Sequence, residues 1–232
     1  MKPVAVVTGG TKGIGRAIAA RLAADGMDVI AVARHAAGLP PNVRFAHCDV
    51  TAAESVKTLF AGLNRVDALV NAAGLAGVNP LSPDDPLWHT ILAVNLTGPW
   101  FCCTAALPRM PDRVGRIINI SSVLGLRGVP DQPAYCAAKH GLIGLTRALA
   151  LAVATRGITV NAVCPGWVDT DMAQERFRDL GITPAQAAQG VPNGRIATPD
   201  DVAGAVAFLL SPAASHITGH ALPVDGGSLA SA

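Results

Sequence analysis

Tyrosine occurs once in the 232 residues, and aromatic side chains make up only 4% of the chain. A surface that stacks nucleobases needs aromatics interleaved with cations, and no such cluster and no run of Lys or Arg is present. Charge is scarce as well: 15% of residues are Asp, Glu, Lys or Arg, and the formal net charge is +2. That balance excludes an acidic or basic interaction tail and a disordered, self-repelling chain. No apolar stretch reaches the roughly 18 residues of a spanning helix. The N-terminal apolar stretch is broken by Thr8, Gly9 and Gly10, too early for a signal peptide. The five cysteines are odd in number and form no C-x-x-C, and the six histidines show no ligand spacing. The expectation is a soluble, cytoplasmic protein with no metal, no nucleic-acid partner and no membrane partner. Most of the cysteines read as small buried hydrophobes. Cys136 stands apart, because it directly follows the single tyrosine.

What the chain has in quantity is hydrophobic residues, half of the total. Short apolar runs at 4–7, 27–32, 44–47, 68–70, 116–120, 159–163 and 221–224 read as strands. Stretches with helical periodicity at 13–24, 51–63, 86–107, 133–154 and 200–210 alternate with them. The helix at 51–63 opens with a capping-box pattern, Thr51 and Glu54. Gly98-Pro99 should bend the helix at 86–107. Strand–helix alternation from end to end predicts an α/β fold, a Rossmann-type, doubly wound parallel sheet of about seven strands with helices on both faces. No linker or repeat interrupts it, so residues 1–232 read as one domain.

The turn after the first run reads Thr8, Gly9, Gly10, Thr11, Lys12, Gly13, Ile14, Gly15. Glycines there let the backbone approach a pyrophosphate closely and turn into a helix whose N-terminus offers free N–H groups. The spacing is G-x-x-x-G-x-G, so the place between strand and helix carries the reading more than the spacing does. About 20 residues on, a dinucleotide fold expects a carboxylate for a ribose 2′-hydroxyl. This chain has Arg34 instead, and Lys12 lies within the glycine turn. Both cations suit a 2′-phosphate, so NADP(H) is favoured as cofactor, with NAD(H) the alternative.

The single tyrosine, Tyr135, is followed four residues later by Lys139 on a helical stretch. Positions i and i+4 share a face. A nearby ammonium favours a phenolate, which predicts a lowered Tyr135 pKa and a group able to pass a proton to a substrate oxygen. Ser121 and Ser122 follow the strand at 116–120, where alternation sends the two side chains to opposite faces.

With these residues gathered, the chain resembles the classical short-chain dehydrogenase/reductase family nearly from end to end. Residues 8–15 match its TGxxxGxG turn. Asp49 and Val50 match the pair placed against adenine. Asn71, Ala72, Ala73 and Gly74 resemble its NNAG motif, with Ala72 in place of the second Asn. Asn95 matches its catalytic Asn. Ser122, thirteen residues before Tyr135, matches its catalytic Ser, and Pro165, Gly166, Val168 and Thr170 belong to the PGxxxT motif that flanks the nicotinamide.

The resemblance implies that Tyr135 protonates the carbonyl oxygen, Ser122 holds it, Lys139 binds the nicotinamide ribose and tunes Tyr135, and Asn95 holds a water linked to Lys139. It also implies a lid at about 171–195, a homotetramer and a ketoreductase-like reaction. The substrate would be a small carbonyl compound or secondary alcohol, free or linked to an acyl carrier or coenzyme A. In character the chain resembles 3-oxoacyl-(acyl-carrier-protein) reductases, polyketide ketoreductases and 3-hydroxyacyl dehydrogenases. Arg113 and Arg156 stand where such reductases present docking cations, and Leu124, Leu126 and Trp167 are expected pocket walls. A non-catalytic dinucleotide sensor and an extended-type epimerase or dehydratase stay open as alternatives. An NAD-dependent alcohol or 3-hydroxyacyl dehydrogenase stays open beside them.

Overall fold

The computed structural model describes residues 2–36 and 38–231. Seven parallel strands form one sheet in the order β3-β2-β1-β4-β5-β6-β7. In chain order the elements are β1 (Val4–Thr8), α1 (Gly13–Ala24), β2 (Asp28–Ala33), β3 (Val43–His47), α2 (Ala53–Ala61) and β4 (Ala68–Asn71). Then follow α3 (Pro86–Leu92), α4 (Gly98–Ala106), β5 (Arg116–Ile120), α5 (Pro133–Val153) and β6 (Thr159–Pro165). The chain closes with α6 (Asp171–Leu180), α7 (Pro184–Gln189), α8 (Pro199–Leu210) and β7 (Ala221–Val224).

The strands read as unbroken apolar runs because the inner ones are covered on both faces. Every residue of β4, β5 and β6 is buried. On one face, Ile18, Ala19 and Leu22 of α1 meet Val202, Ala203, Val206 and Leu209 of α8. On the other, α2 contributes Val56 and Phe60, α4 Cys102, Cys103 and Ala106, and α5 Leu149, Ala150 and Val153. The strand order reverses between β1 and β4, and an open α/β sheet has its ligand crevice at the carboxyl ends beside such a switch. Thr8 and Asn71, the last residues of these two strands, are register partners.

Two local expectations are corrected. The Thr51–Glu54 capping box does not form. The Thr51 hydroxyl donates to Asp49 Oδ1 at 2.7 Å, and Ala52 takes the N-cap position with no side-chain cap. The bend expected at Gly98-Pro99 falls one turn earlier, as a π-helical segment at Ala93–Thr97 between α3 and α4. Pro99 has no N–H to complete the regular ladder, and the Gly98 N–H bonds the Ala93 carbonyl, five residues back.

The helical stretches Pro86–Arg109 and Pro133–Arg156 are long and apolar enough to cross a membrane by length and composition. Their apolar residues supply the sheet-covering core described above. Cys48, Cys102, Cys103 and Cys164 are buried and Cys136 is half-buried, all as free thiols. Burial pushes Cys103 up to about 12 and Cys164 up to about 11, so both stay protonated and unreactive at neutral pH. Among the described residues no cluster of metal ligands occurs.

Candidate active site

The turn 8–15 crosses the switch point. Thr8 Oγ1 accepts from Ala72 N at 3.1 Å and Ala73 N at 3.2 Å, which ties the end of β1 to the segment leaving β4. Gly9 has φ +67°, and a Cβ there would sit 2.8 Å from Ala73 Cα. Only glycine meets both conditions. Thr11 is buried, while Lys12 is exposed and occupies the α1 N-cap with an extended backbone and no side-chain cap. The first N–H groups of α1, from Gly13, Ile14 and Gly15, therefore face the crevice without a capping side chain. Gly13 faces Thr170 across it, where an added Cβ would lie 3.5 Å from Thr170 Cγ2. An uncapped N-terminus with a glycine approach fits a dinucleotide pyrophosphate.

Arg34 follows β2 and is exposed, at the same carboxyl edge as Lys12. Among the described residues neither side chain makes an ion pair. Asp49 follows β3 and is held below the usual carboxylate range, first by hydrogen bonds from Thr51 and then by the charges of Arg34 and His47. Val50 is buried against α4, where Gly98 leaves room for it.

A cavity of about 510 Å³ opens beside the turn, lined by Ile14, Ala72, Gly74, Ser122, Tyr135, Lys139, Pro165, Gly166, Val168 and Thr170. Residues from five separate stretches thus meet in one place. Ser121 and Ser122 both border the cavity, and their hydrogen bonds tell them apart. The Ser121 hydroxyl donates backward to the Lys139 carbonyl at 3.1 Å, and Ser122 Oγ accepts from Leu124 N at 3.1 Å, leaving its proton for the cavity. Of the expected pocket walls, Leu124 and Trp167 line the cavity, but Leu126 does not.

The electrostatics of the Tyr135–Lys139 pair differ from the expectation. Burial pushes the Tyr135 phenol up to about 12, opposed by its hydrogen bond with Ser122. Burial also drives Lys139 down to about 8. Lys139 is 3% exposed, donates to the Ile120 carbonyl at 2.8 Å and lies 5.4 Å from the Tyr135 ring centroid. In this protein desolvation outweighs the i, i+4 charge effect, because the ammonium is aimed at the carbonyl rather than at the phenol oxygen.

Two other residues turn their side chains away from the cavity. Asn71 donates to Cys103 Sγ at 3.3 Å and Asn119 Oδ1 at 2.8 Å inside the core, and the neighbouring Ala72 lines the cavity instead. Asn95 is fully buried in the π segment. It accepts from Leu75 N at 3.3 Å and donates to the carbonyls of Leu75 and Ile91 at 2.7 and 2.9 Å. That grip fixes the strand-to-helix loop beside Gly74, whose Cβ would meet Asn95 Oδ1 at 3.3 Å.

Arg113 and Arg156 precede β5 and β6, so they lie at the end of the sheet opposite the cavity. Arg156 is spent on Asp112 at 2.8 Å and on the carbonyls of Leu107 and Met110 at 3.0 and 2.6 Å, which makes it a clamp between chain segments.

The stretch after Thr170 folds into α6 and α7. Phe177, 2% exposed, packs on Trp167 with ring centroids 4.9 Å apart, beside Ala173 and Ala187. Arg176 of α6 pairs with Asp131 just before α5 at 2.5 Å, closing the cavity's far side. Residues Asp131, Gln132 and Arg176 are cavity residues that the motifs did not reveal, since only the fold brings the α6 face to the start of α5.

Phe177→Ala should loosen α6 locally, because a Phe→Ala cavity costs about 3–5 kcal/mol and this cluster stands apart from the main core. We expect a severalfold rise in KM for the second substrate and faster proteolysis within residues 171–195. If neither KM nor proteolysis responds, the Trp167 contact does not hold the lid.

A family model described as enoyl-(acyl carrier protein) reductase matches residues 9–228. The 3-oxoacyl-(acyl-carrier-protein) reductase of Haemophilus influenzae is 42% identical over 240 residues, covering 97% of this chain and 97% of that protein. Among solved structures, the aldohexose dehydrogenase of Thermoplasma acidophilum superposes with a TM-score of 0.94 at 36% identity, covering 100% of this chain and 95% of that one. An actinorhodin polyketide ketoreductase solved with NADPH superposes at 0.89 and 37% identity, covering 98% and 97%.

Proposed function

From the premise that this chain belongs to the short-chain dehydrogenase/reductase family and is an NAD(P)-dependent oxidoreductase, we propose that it reduces the carbonyl of a small, largely uncharged compound, with NADPH as the preferred donor. The observation that carries this reading is the convergence of Ser122, Tyr135 and Lys139 on one cavity beside the uncapped N-terminus of α1.

The residues divide by what they can do. The backbone N–H groups of Gly13, Ile14 and Gly15 hold the pyrophosphate, and Lys12 and Arg34 the 2′-phosphate. Asp49 and Val50 border the adenine. Lys139 holds the nicotinamide ribose, while Pro165, Gly166, Val168 and Thr170 flank the nicotinamide. The bound dinucleotide supplies a hydride to the carbonyl carbon. Ser122 donates to the carbonyl oxygen and stabilises the negative charge that grows on it. Tyr135 then gives that oxygen its proton, and at neutral pH the burial of the phenol keeps the proton in place for this. The same residues run in reverse for a secondary alcohol. Asn95 serves as a positioning residue for the loop at Gly74–Leu75.

The test of the reading is an assay of oxo compounds with each dinucleotide, in the native chain and in Arg34→Ala. One charge-assisted phosphate contact is worth about 1.5–3 kcal/mol, so the variant should lose roughly tenfold or more in kcat/KM for NADPH and little for NADH. A native enzyme that prefers NADH would reduce Arg34 to a surface charge. Absence of any dinucleotide-dependent carbonyl reduction would overturn the proposal.

A further inference from the structure

Ser121 follows β5 directly and is buried. Its backbone N–H donates to the Val163 carbonyl at 2.8 Å, which continues the pairing of β5 with β6. Its hydroxyl donates to the Lys139 carbonyl at 3.1 Å, 18 residues away on α5. Lys139 lies inside that helix, where the regular ladder already supplies its carbonyl with an N–H. Helix formation therefore does not need the Ser121 hydroxyl. The far end of the same side chain is held by the residue before Ser121: Lys139 Nζ donates to the Ile120 carbonyl at 2.8 Å. Two consecutive residues at one strand end thus grip the root and the tip of one lysine.

Gly125 makes the close approach possible. A Cβ there would lie 2.7 Å from Ser121 Oγ and 2.8 Å from the Lys139 carbonyl oxygen. Its φ is not among the positive ones, so this contact, and not the backbone conformation, is what calls for glycine. The neighbouring Cys164 is kept protonated by burial, so no thiolate competes for the Ser121 proton. Ser121 borders the cavity, but its hydroxyl proton is committed to α5.

Resting on the reading in which Lys139 holds the nicotinamide ribose, we propose that Ser121 is a positioning residue for dinucleotide binding, which fixes the root of Lys139 so that its ammonium is in place before the cofactor arrives. A lysine stem has many rotamers, and freedom that is lost on binding subtracts from affinity. Freedom already lost in the free protein does not. An ammonium carries three N–H donors. One is committed to the Ile120 carbonyl, which leaves two for the ribose hydroxyls. Ser121 touches neither the cofactor nor the substrate in this role and acts through Lys139 alone.

The test is a double-mutant cycle on the full chain, read by fluorescence titration with NADPH. Ser121→Ala should weaken NADPH binding about threefold to tenfold, the worth of one neutral hydrogen bond. In a Lys139→Met background the same change should move the affinity by less than about twofold, because the side chain it works through is gone. Ser121→Cys nearly keeps the volume but is a weak donor, so it should lose at least about twofold, which separates the hydrogen bond from packing. Native affinity in Ser121→Ala overturns the proposal, and so does an equal loss with and without Lys139. If Ser121→Ala fails to fold, Ser121→Cys runs the same cycle and is judged in the same way. If Lys139→Met itself binds NADPH as tightly as the native protein, the ribose reading of Lys139 fails and the proposal with it. That result is distinct from a loss in Lys139→Met with none in Ser121→Ala, which overturns the role of Ser121 alone.

Discussion

Tyr135→Phe is expected to remove turnover by about 10²- to 10⁴-fold, the range that a positioned general acid supplies, while leaving dinucleotide affinity within a factor of three. The phenyl ring keeps the packing, since Tyr135 sits against the cluster of Ile91, Ala134 and Ala138. Only the hydroxyl is lost, and no other phenol exists in the chain to replace it. The pH dependence sharpens the expectation. With the phenol pushed up to about 12, reduction should run flat through neutral pH, because the donor stays protonated. Oxidation needs the phenolate, so its rate should climb close to tenfold per pH unit between about pH 7 and pH 9 with no plateau. Stopped turnover with intact binding, read by dinucleotide fluorescence, supports the assignment. Retention of most activity in Tyr135→Phe would remove the tyrosine from the mechanism.

Lys139→Met should trade function for stability. Lys139 is 3% exposed, and burial depresses it from 10.5 to about 8. Below pH 8 the side chain is charged in both the folded and the unfolded chain, so the folded state carries the full desolvation penalty. Between about pH 8 and 10.5 the unfolded chain binds the extra proton, and the native protein gains stability as pH rises. The depression corresponds to about 3 kcal/mol at most, from 1.36 kcal/mol per pH unit. The lost hydrogen bond to the Ile120 carbonyl offsets about 1 kcal/mol of that. At neutral pH, without added dinucleotide, Lys139→Met should therefore be about 1–3 kcal/mol more stable than the native protein. The gain should vanish near pH 10.5. Activity should fall by at least a hundredfold, with dinucleotide affinity down roughly tenfold for the missing charged donor. Urea denaturation at both pH values beside a binding titration measures this. A variant less stable at neutral pH would show that the ammonium is a net structural asset rather than a strained functional group.

The difference between what was legible in the sequence and what was not follows from the range of the interactions concerned. The parallel sheet was readable because it needs continuous apolar strands joined by helices, and both patterns are local, whereas the order of the strands came from the structure. The ends of β5 and β7 fall where the apolar runs at 116–120 and 221–224 end. The glycine turn was readable for a similar reason: the positive φ of Gly9 and its approach to Ala73 leave no room for a side chain. The choice of Ser122 over Ser121 rested on strand alternation together with the family spacing, and the hydrogen bond of Ser121 to the Lys139 carbonyl agrees with it.

Other side chains took partners that a local pattern does not name. Thr51 and Glu54 have the spacing of a capping box, but Asp49 lies closer to the Thr51 hydroxyl than the helix does. The Arg156 guanidinium donates to the carbonyls of Leu107 and Met110, more than forty residues away. Asn95 carries a motif's identity, but what its amide touches is decided by the loop at Leu75.

By itself, then, the sequence determined the parallel α/β sheet, the glycine turn and the residues that meet beside it, because strand alternation, glycine geometry and helical spacing are properties of neighbours along the chain. Only the tertiary structure decided the electrostatics of Tyr135 and Lys139 and the contacts that close the cavity between Asp131 and Arg176. Desolvation and hydrogen-bond pairing depend on everything packed around a group, and a linear pattern of residues does not carry that information.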